Sequence, residues 1–424
     1  MTAYLRGSGW TAIMDLAPLT YQLIEDSCSF DYVVVGAGFA GVAAARRLSE
    51  LASDAQIALL DAELLLENSS ARNSGFMLDL PYTKIDQRCS KVEKDWYIEL
   101  LKYGKSLLWQ QVKDDPQNNR YWSPRGHYKA ACTEAGSKVL ESIAKVLTDE
   151  GLSYQMVSSE NCQKNIGTSF YKKALWMPQC TLVQPAELLY KLINTLPKNI
   201  QIFSNSKVIK RDKTSEGFIL QVGQHRIYTK NVIWATNIFS KDLSLGTKFM
   251  IPIYTYAGLT RPLGDSDVSL GTSDEWGVTP VEQLEATTRK LSNGRLLLRV
   301  GYSYKRELPV FEQKKIVFEG MKKRYANIQL DDLEFVWGGA VSMTRNGAPL
   351  FTKLGANEML VGGCNASGIL KMTALGNLSA EFLLNKDSDL LTETKLRSRP
   401  TYIPPEPFRS LGVSFMINRL KTRA

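Results

Sequence analysis

The 424-residue chain is 44% hydrophobic, 22% charged and 10% aromatic, an ordinary globular composition that excludes bulk disorder, collagen-like repeats and sustained coiled coils. Its length calls for two domains, or one large domain with an insertion. Lys and Arg outnumber Asp and Glu by 52 to 43, and the excess gathers between Leu391 and Ala424, where Lys395, Arg397, Arg399, Arg409, Arg419, Lys421 and Arg423 stand against Glu393 and Glu406.

Residues 1–29 read as an N-terminal extension. The run Tyr32-Val33-Val34-Val35 is β-branched and free of charge, the pattern of a strand buried on both faces. Gly36, Gly38 and Gly41 follow in GxGxxG spacing as a helical pattern opens through Phe39 and Ala40. Gly36 permits a tight turn, Gly38 lets backbone approach a pyrophosphate, and Gly41 lets helix meet strand closely. The helix N-terminus then offers N–H groups and its positive dipole end to phosphates. A second strand, Gln56-Ile57-Ala58-Leu59-Leu60, runs into Asp61 and Ala62. An acid at that distance can accept hydrogen bonds from adenosine ribose hydroxyls; Glu63 is an alternative that starts past the strand end. Together these elements point to a dinucleotide site. The competing reading is a βαβ unit whose glycines serve packing alone.

Farther on, the small and polar stretch Asn68-Ser69-Ser70-Ala71-Arg72-Asn73-Ser74-Gly75 can open a second helix towards a cofactor. Residues 91–112 form a helical pattern with Trp96, Leu100, Tyr103 and Leu107 on one side. His127 follows a turn at Arg125-Gly126, and residues 294–300 read as a strand. In Ile251-Pro252-Ile253-Tyr254-Thr255-Tyr256 the two tyrosines share one strand face, either as a substrate wall or as a core pair. A helix is expected from about Ile369 to Leu384, with Lys371 in its first turn, either beside the cofactor or turned to solvent. Pro404, Pro405 and Pro407 then punctuate an extended linker before a basic amphipathic segment from Ser410 to Arg423.

The six cysteines form no CxxC pair and the only histidines are His127 and His225, so no metal site is expected. No apolar run reaches bilayer-spanning length, no secretory signal is evident and no nucleic-acid motif is present. The expected location is cytoplasmic. The basic tail leaves peripheral contact with a membrane open.

The Asn68–Gly75 stretch resembles the GASGRNGGF region of the FAD-dependent amine and amino-acid oxidases. That family includes D-amino-acid oxidase, glycine oxidase and sarcosine oxidase, and the resemblance is strongest to its γ-glutamylputrescine oxidase-like branch. Val183-Gln184-Pro185-Ala186-Glu187-Leu188-Leu189 resembles the helix entry before the flavin domain resumes. Asn231-Val232-Ile233-Trp234-Ala235-Thr236-Asn237 resembles "vvxAtga". Residues 337–349 resemble "WgGxxxxTxDgxP", and 360–368 resemble "glyxaxGxxGhG".

The resemblance implies an α/β protein. A Rossmann-like FAD-binding domain (30–85, 150–245, 335–390) would alternate with a discontinuous α+β substrate domain holding a largely antiparallel sheet (86–149, 246–334), before a basic tail (391–424). It implies FAD contacts at Gly36, Gly38, Phe39, Ala40, Gly41, Asp61, Ala62, Ser70, Ala71, Arg72, Asn73, Ser74, Gly75, Val208, Ala235, Thr236, Gly339, Gly363, Asn365, Ala366, Ser367, Gly368, Ile369 and Leu370. It also implies hydride transfer from an amine or amino acid to flavin N5, hydrolysis of the resulting imine, and reoxidation by oxygen with hydrogen peroxide as product. Tyr254 and Tyr256 would then border substrate, and Lys371 would favour electron transfer to oxygen. Alternatives are a dehydrogenase that passes electrons to a quinone or partner, and a non-catalytic flavoprotein subunit. The chain departs from the family pattern at three places. Ala366 and Ser367 replace a glycine and a histidine. Val341 stands where glycine oxidases carry a carboxylate-binding arginine. Gly339 stands where sarcosine oxidases attach the flavin through cysteine, so the FAD is expected to be non-covalent.

Overall fold

The computed structural model describes residues 7–80, 90–264 and 268–421. Cys89, the expected domain limit at 85/86, Arg423 and the first six residues of the extension lie outside them. Valines and isoleucines without charge make the parallel core of the first sheet. Cys28–Val35 pairs in parallel with Ile57–Leu60 on one side and His225–Trp234 on the other, and Ile57–Leu60 pairs in parallel with Ile200–Phe203. Glu358–Gly362 joins the end of His225–Trp234, while Val208–Lys213 and Phe218–Val222 extend the other edge antiparallel. The helix Phe39–Leu51 crosses over between the first two strands and packs on the helix Ile369–Leu383. Glycine permits that approach: a Cβ on Gly376 would lie 2.0 Å from the Ala40 carbonyl oxygen.

The second sheet runs in the order Leu333–Met343, Ile251–Thr260, Leu296–Tyr304, Thr287–Lys290, Trp276–Pro280, His127–Ala131, Lys173–Met177, Gln155–Ser158. All its pairings are antiparallel except that of Trp276–Pro280 with His127–Ala131. One face carries the helix Val310–Lys322, against which Gly258 packs so closely that a Cβ would sit 2.4 Å from Val317. The other face turns towards the first sheet's helices and shares a buried cluster with Val34, Phe39 and Leu375 through Ala257, Leu259, Leu297 and Trp337. A small third sheet, Phe76–Leu78 with Cys180–Val183 and Trp122–Ser123, bridges the two.

Strand membership moves two expected limits. Gln155–Ser158 and Lys173–Met177 pair with each other and with His127–Ala131, so the segment after residue 150 stays with the second sheet. Leu333–Met343 is likewise a strand of the second sheet, along its whole length beside Ile251–Thr260. The first sheet regains the chain at Leu350–Gly355.

The helix Lys91–Val112 begins with a capping box between Ser90 and Glu93. Its buried side centres on Tyr97, Leu101, Gly104 and Leu108, which leaves Leu107 half-buried, one position off the expected stripe. The residues after Leu391 are more ordered than a linker. Asp389–Arg397 is helical, 398–405 is extended, and Phe408–Lys421 forms a last helix. The extension also folds. Ser8 caps a short helix, Gly9–Ala12, and Trp10 is completely buried between the sheets.

Candidate functional site

The glycine turn is built as its spacing requires. Gly36 takes φ +106°, a conformation open to glycine, and its N–H closes on the Leu60 carbonyl at 2.7 Å. A Cβ on Gly41 would fall 1.7 Å from the Gly36 carbonyl oxygen, and one on Gly38 would fall 2.4 Å from Ser70 Oγ. The helix that follows has no side-chain cap at Gly38. Ser70 Oγ, from the 68–75 stretch, accepts the Phe39 N–H at 3.1 Å. The serine-rich stretch therefore faces the first turn, but it opens only a three-residue 3-10 turn, Ser69–Ala71, rather than a helix.

Asp61 is buried and already engaged. One oxygen accepts the Ala37 N–H at 2.9 Å and the Asn68 amide at 3.0 Å, and the other accepts the Glu63 N–H at 3.1 Å. Burial pushes its carboxyl above the usual range, against the opposing pull of those three donors. The acid thus fastens the turn to the 68–75 stretch, and the oxygen that holds Glu63 keeps acceptor capacity for a further donor. Ala62 is exposed beside it, and Val208 begins the edge strand, buried.

The 68–75 stretch is also the hinge between the sheets. Arg72 is buried, ion-paired with Glu67 at 2.6 Å, and donates to the Gly338 carbonyl at 3.2 Å. The Trp337 indole returns a bond to the Arg72 carbonyl at 3.0 Å, and a Cβ on Gly339 would lie 3.7 Å from that of Arg72. Asn73 Oδ1 accepts the Gly75 N–H at 2.8 Å, while its carbonyl accepts the Trp10 indole at 2.8 Å. Arg289 donates to the Val183 carbonyl at 2.6 Å, pairs with Glu275 at 2.7 Å and stacks 5.5 Å from the Trp10 ring.

At the far end, Asn237 clamps the glycine loop. Its Oδ1 accepts the Gly363 N–H at 3.1 Å and its amide reaches Cys364 Sγ at 3.3 Å. Asn365 and Ala366 follow with φ of +49° and +61°. Asn365 offsets that strain by accepting the Thr344 N–H at 2.8 Å and donating to the Gly347 carbonyl at 3.0 Å. Ala366 has no such compensation in its methyl side chain. Ser367 closes the turn onto the Cys364 carbonyl at 3.1 Å, and Gly368 leads into the helix at Ile369 and Leu370.

Three polar atoms around this crevice are buried without a hydrogen-bond partner: Thr236 Oγ1 beside Ala235, Ser342 Oγ next to the glycine loop, and Lys371 Nζ. Buried groups left in this way fit a polar ligand that is part of the functional protein. The glycine cradle, the uncapped helix start and these atoms together fit an FAD.

Three expected positions are corrected. Tyr254 and Tyr256 point to the face that carries the helix Val310–Lys322. The Tyr256 hydroxyl bonds Ser303 and accepts the Leu308 N–H at 2.9 Å, so the pair belongs to the core. Their neighbours Thr255 and Ala257, paired with Gly339 and Trp337, face the crevice instead. Lys371 is completely buried, with Nζ 5.6 Å from the Tyr97 ring, and does not reach solvent. Sequence reasoning missed Trp10, Glu67 and the Leu296–Tyr304 strand, where Arg299 bonds Thr255, Thr287 and Tyr302 on the crevice side. Gly301 within an otherwise regular strand was the available signal, since such a glycine marks a bulge.

A family model described as FAD dependent oxidoreductase matches residues 31–382. The chain belongs to this family. Its cofactor is FAD, and it is an oxidoreductase. A probable oxidoreductase, OrdL, of Haemophilus influenzae is 22% identical over 389 residues, covering 88% of this chain and 86% of that protein. Among solved structures, glycine oxidase from Geobacillus kaustophilus superposes with a TM-score of 0.72 at 15% identity, over 85% of this chain and 96% of that one. L-proline dehydrogenase from P. horikoshii gives 0.68 at 15% identity, over 87% and 96%. At these identities the likeness shows a shared fold. Among the described residues no helix is long and apolar enough to cross a membrane, and no cluster of three or more metal-binding side chains occurs.

Proposed function

We propose that the protein oxidises a C–N bond of an amine or amino acid by hydride transfer to flavin N5, giving an imine that hydrolyses, with oxygen as the acceptor and hydrogen peroxide as product. The observation that carries this reading is the crevice between the 68–75 stretch and the Thr255–Gly339 side of the second sheet. Trp10 and Trp337 exclude water from its floor, and no acid–base pair is assembled there. His127, the histidine of that sheet face, is buried beside Phe76, and burial holds its imidazole at about 3, neutral at ordinary pH. Hydride transfer requires an aligned, unprotonated amine in a dry site rather than a general base. The neighbours in fold named glycine oxidase and L-proline dehydrogenase support a C–N substrate.

In this reading Gly339 offers no side chain for a covalent link, so the FAD is held by contacts alone. The first turn of the helix Ile369–Leu383 directs N–H groups to the flavin's pyrimidine edge, where negative charge grows on reduction. Lys371, buried in that turn, supplies the positive charge that favours electron transfer to oxygen. A cytoplasmic location belongs to the same reading.

The test is the anaerobic visible spectrum of the purified protein during titration with amines and amino acids. Bleaching by one class, reversed on admitting air with stoichiometric peroxide, is the expected result. A protein that stays yellow against the whole panel overturns C–N oxidation. A second reading, a dehydrogenase that serves a membrane quinone, draws on the last helix. Phe408, Leu411, Phe415 and Met416 are 58–68% exposed along one side of it, with Arg409 nearby. Turnover with a quinone on anionic vesicles, and none with oxygen, selects it.

A further inference from the structure

The Leu296–Tyr304 strand pairs with Ile251–Thr260 through a break in register: Thr255 opposes Tyr302, Tyr256 opposes Val300, and Ala257 opposes Arg299. The extra residue is Gly301, at φ +74°, where a Cβ would meet Ile316 at 2.8 Å. In an unbroken strand, residues three apart face opposite sides. The bulge brings Arg299 and Tyr302 to the same side. It is the side of Thr255 and Ala257, whose partners on the next strand, Gly339 and Trp337, meet Arg72. Arg299 therefore stands over the crevice, two strand spacings or about 10 Å from the strand that carries Gly339.

Its guanidinium is held by neutral oxygens. Nη2 donates to Thr287 Oγ1 at 2.8 Å, Nη1 donates to the Tyr302 hydroxyl and, at 3.5 Å, to Thr255 Oγ1, and the group lies 5.4 Å from the Tyr302 ring. Among the described residues no carboxylate forms an ion pair with it, whereas Arg72 and Arg289 on the same side are paired with Glu67 and Glu275. A half-buried guanidinium fixed in orientation, left with its charge and with N–H groups to spare, is the arrangement that binds a planar anion.

We propose that Arg299, oriented by Tyr302, Thr255 and Thr287, binds a carboxylate of the substrate, which makes that substrate an amino acid or another carboxylate-bearing amine rather than a simple amine. The proposal rests on the C–N oxidation reading for its chemistry but not for the anion site itself. Val341, apolar, leaves the Gly339 strand without a cation two residues on, and the adjacent bulged strand provides one.

The experiment uses FAD-loaded protein and two readouts. Acetate and benzoate are titrated against the flavin spectrum. Amino acids and their decarboxylated amines are compared in anaerobic bleaching. The wild type is expected to respond to both acids and to be bleached by the carboxylate-bearing member of each pair. R299Q, checked for retained FAD and an unchanged melting profile, is expected to weaken the carboxylate response by about 100-fold, two tenfold steps, and R299K to restore part of it. Absence of any acid response in the wild type overturns the proposal, as does equal response in R299Q. Bleaching that is indifferent to the carboxylate, with R299Q slow only in reoxidation, also overturns it and leaves C–N oxidation standing. An Arg299-dependent acid response with no bleaching by any amine supports the anion site and removes the C–N reading instead.

Discussion

The Trp10 indole donates to the Asn73 carbonyl at 2.8 Å, joining the tenth residue of the chain to the stretch on which both sheets hinge. Gln184 bonds the Trp10 carbonyl at 3.1 Å, and Gly9 lies against Trp337 and Phe335. Removing the ring leaves a large cavity between the sheets, at a cost of about 3–5 kcal/mol. Trp10→Ala is expected to melt well below the wild type and to lose FAD more readily, measured by flavin fluorescence during heating. An unchanged melting curve and FAD affinity sink the idea that the extension is structural.

Lys371 presents the opposite case. An amine buried without a hydrogen-bond partner destabilises the fold, and a methionine of similar shape removes that cost. Lys371→Met is expected to stabilise by about 1–4 kcal/mol, the range seen when buried charges give way to apolar groups. In the proposed role, the same change slows reoxidation of reduced enzyme by oxygen about tenfold or more, some 1.4 kcal/mol of barrier, and leaves anaerobic bleaching intact. Stopped-flow traces of both half-reactions separate the effects. A more stable variant with unchanged reoxidation assigns Lys371 no part in oxygen chemistry.

Ala366 and Gly363 lie four positions from one another's roles in the same loop, both left-handed. Ala366→Gly relieves a side chain at φ +61° and is expected to gain about 1 kcal/mol or less, since glycine also loosens the unfolded chain. Gly363→Ala adds a Cβ 2.9 Å from Thr344 at φ +71° and is expected to destabilise. Urea midpoints of opposite sign are the expected result; two shifts of the same sign contradict the strain argument.

His127 sets an acid limb. Its imidazole titrates near 3 in the folded chain, against about 6.5 when unfolded. The unfolded state therefore binds the extra proton between these values, and the contribution is complete above pH 6.5 and lost as pH falls towards 3. Across the window this group's slope approaches about 1.4 kcal/mol per pH unit. His127→Leu is expected to flatten the fall in melting temperature between pH 6.5 and 4. Parallel curves for the two proteins rule out the buried neutral ring as its source.

The nucleotide half was legible because local rules and the global fold agree there. The run from Tyr32 to Asp61 needs strand, turn, helix and strand in immediate succession, and each has its own residue signature. The 337–349 and 360–368 stretches were found by their pattern, although the first proved to belong to the substrate sheet. Side-chain direction on Ile251–Thr260 was not legible. Two aromatics alternating with small residues mark a shared face, but only the partner strands and the helix Val310–Lys322 decide which face turns to the crevice. The same limit hid Arg299: strand periodicity is blind to a bulge until its register is known. Trp10 was hidden for another reason, since its contacts lie 63 or more residues away.

The first sheet also sets a timetable. Val33 aligns with Val232, and that strand in turn with Glu358–Gly362. At synthesis rates of about 5–20 residues per second, the nucleotide-binding strand waits roughly 10–40 s on the ribosome for its first parallel neighbour on that side. During that interval the valine run is an open, apolar edge, and parallel pairing over such a span is slow to form. Yield of the soluble protein should therefore respond to chaperone supply and growth temperature more than the stability of the finished fold suggests, because the vulnerable species is the half-made chain.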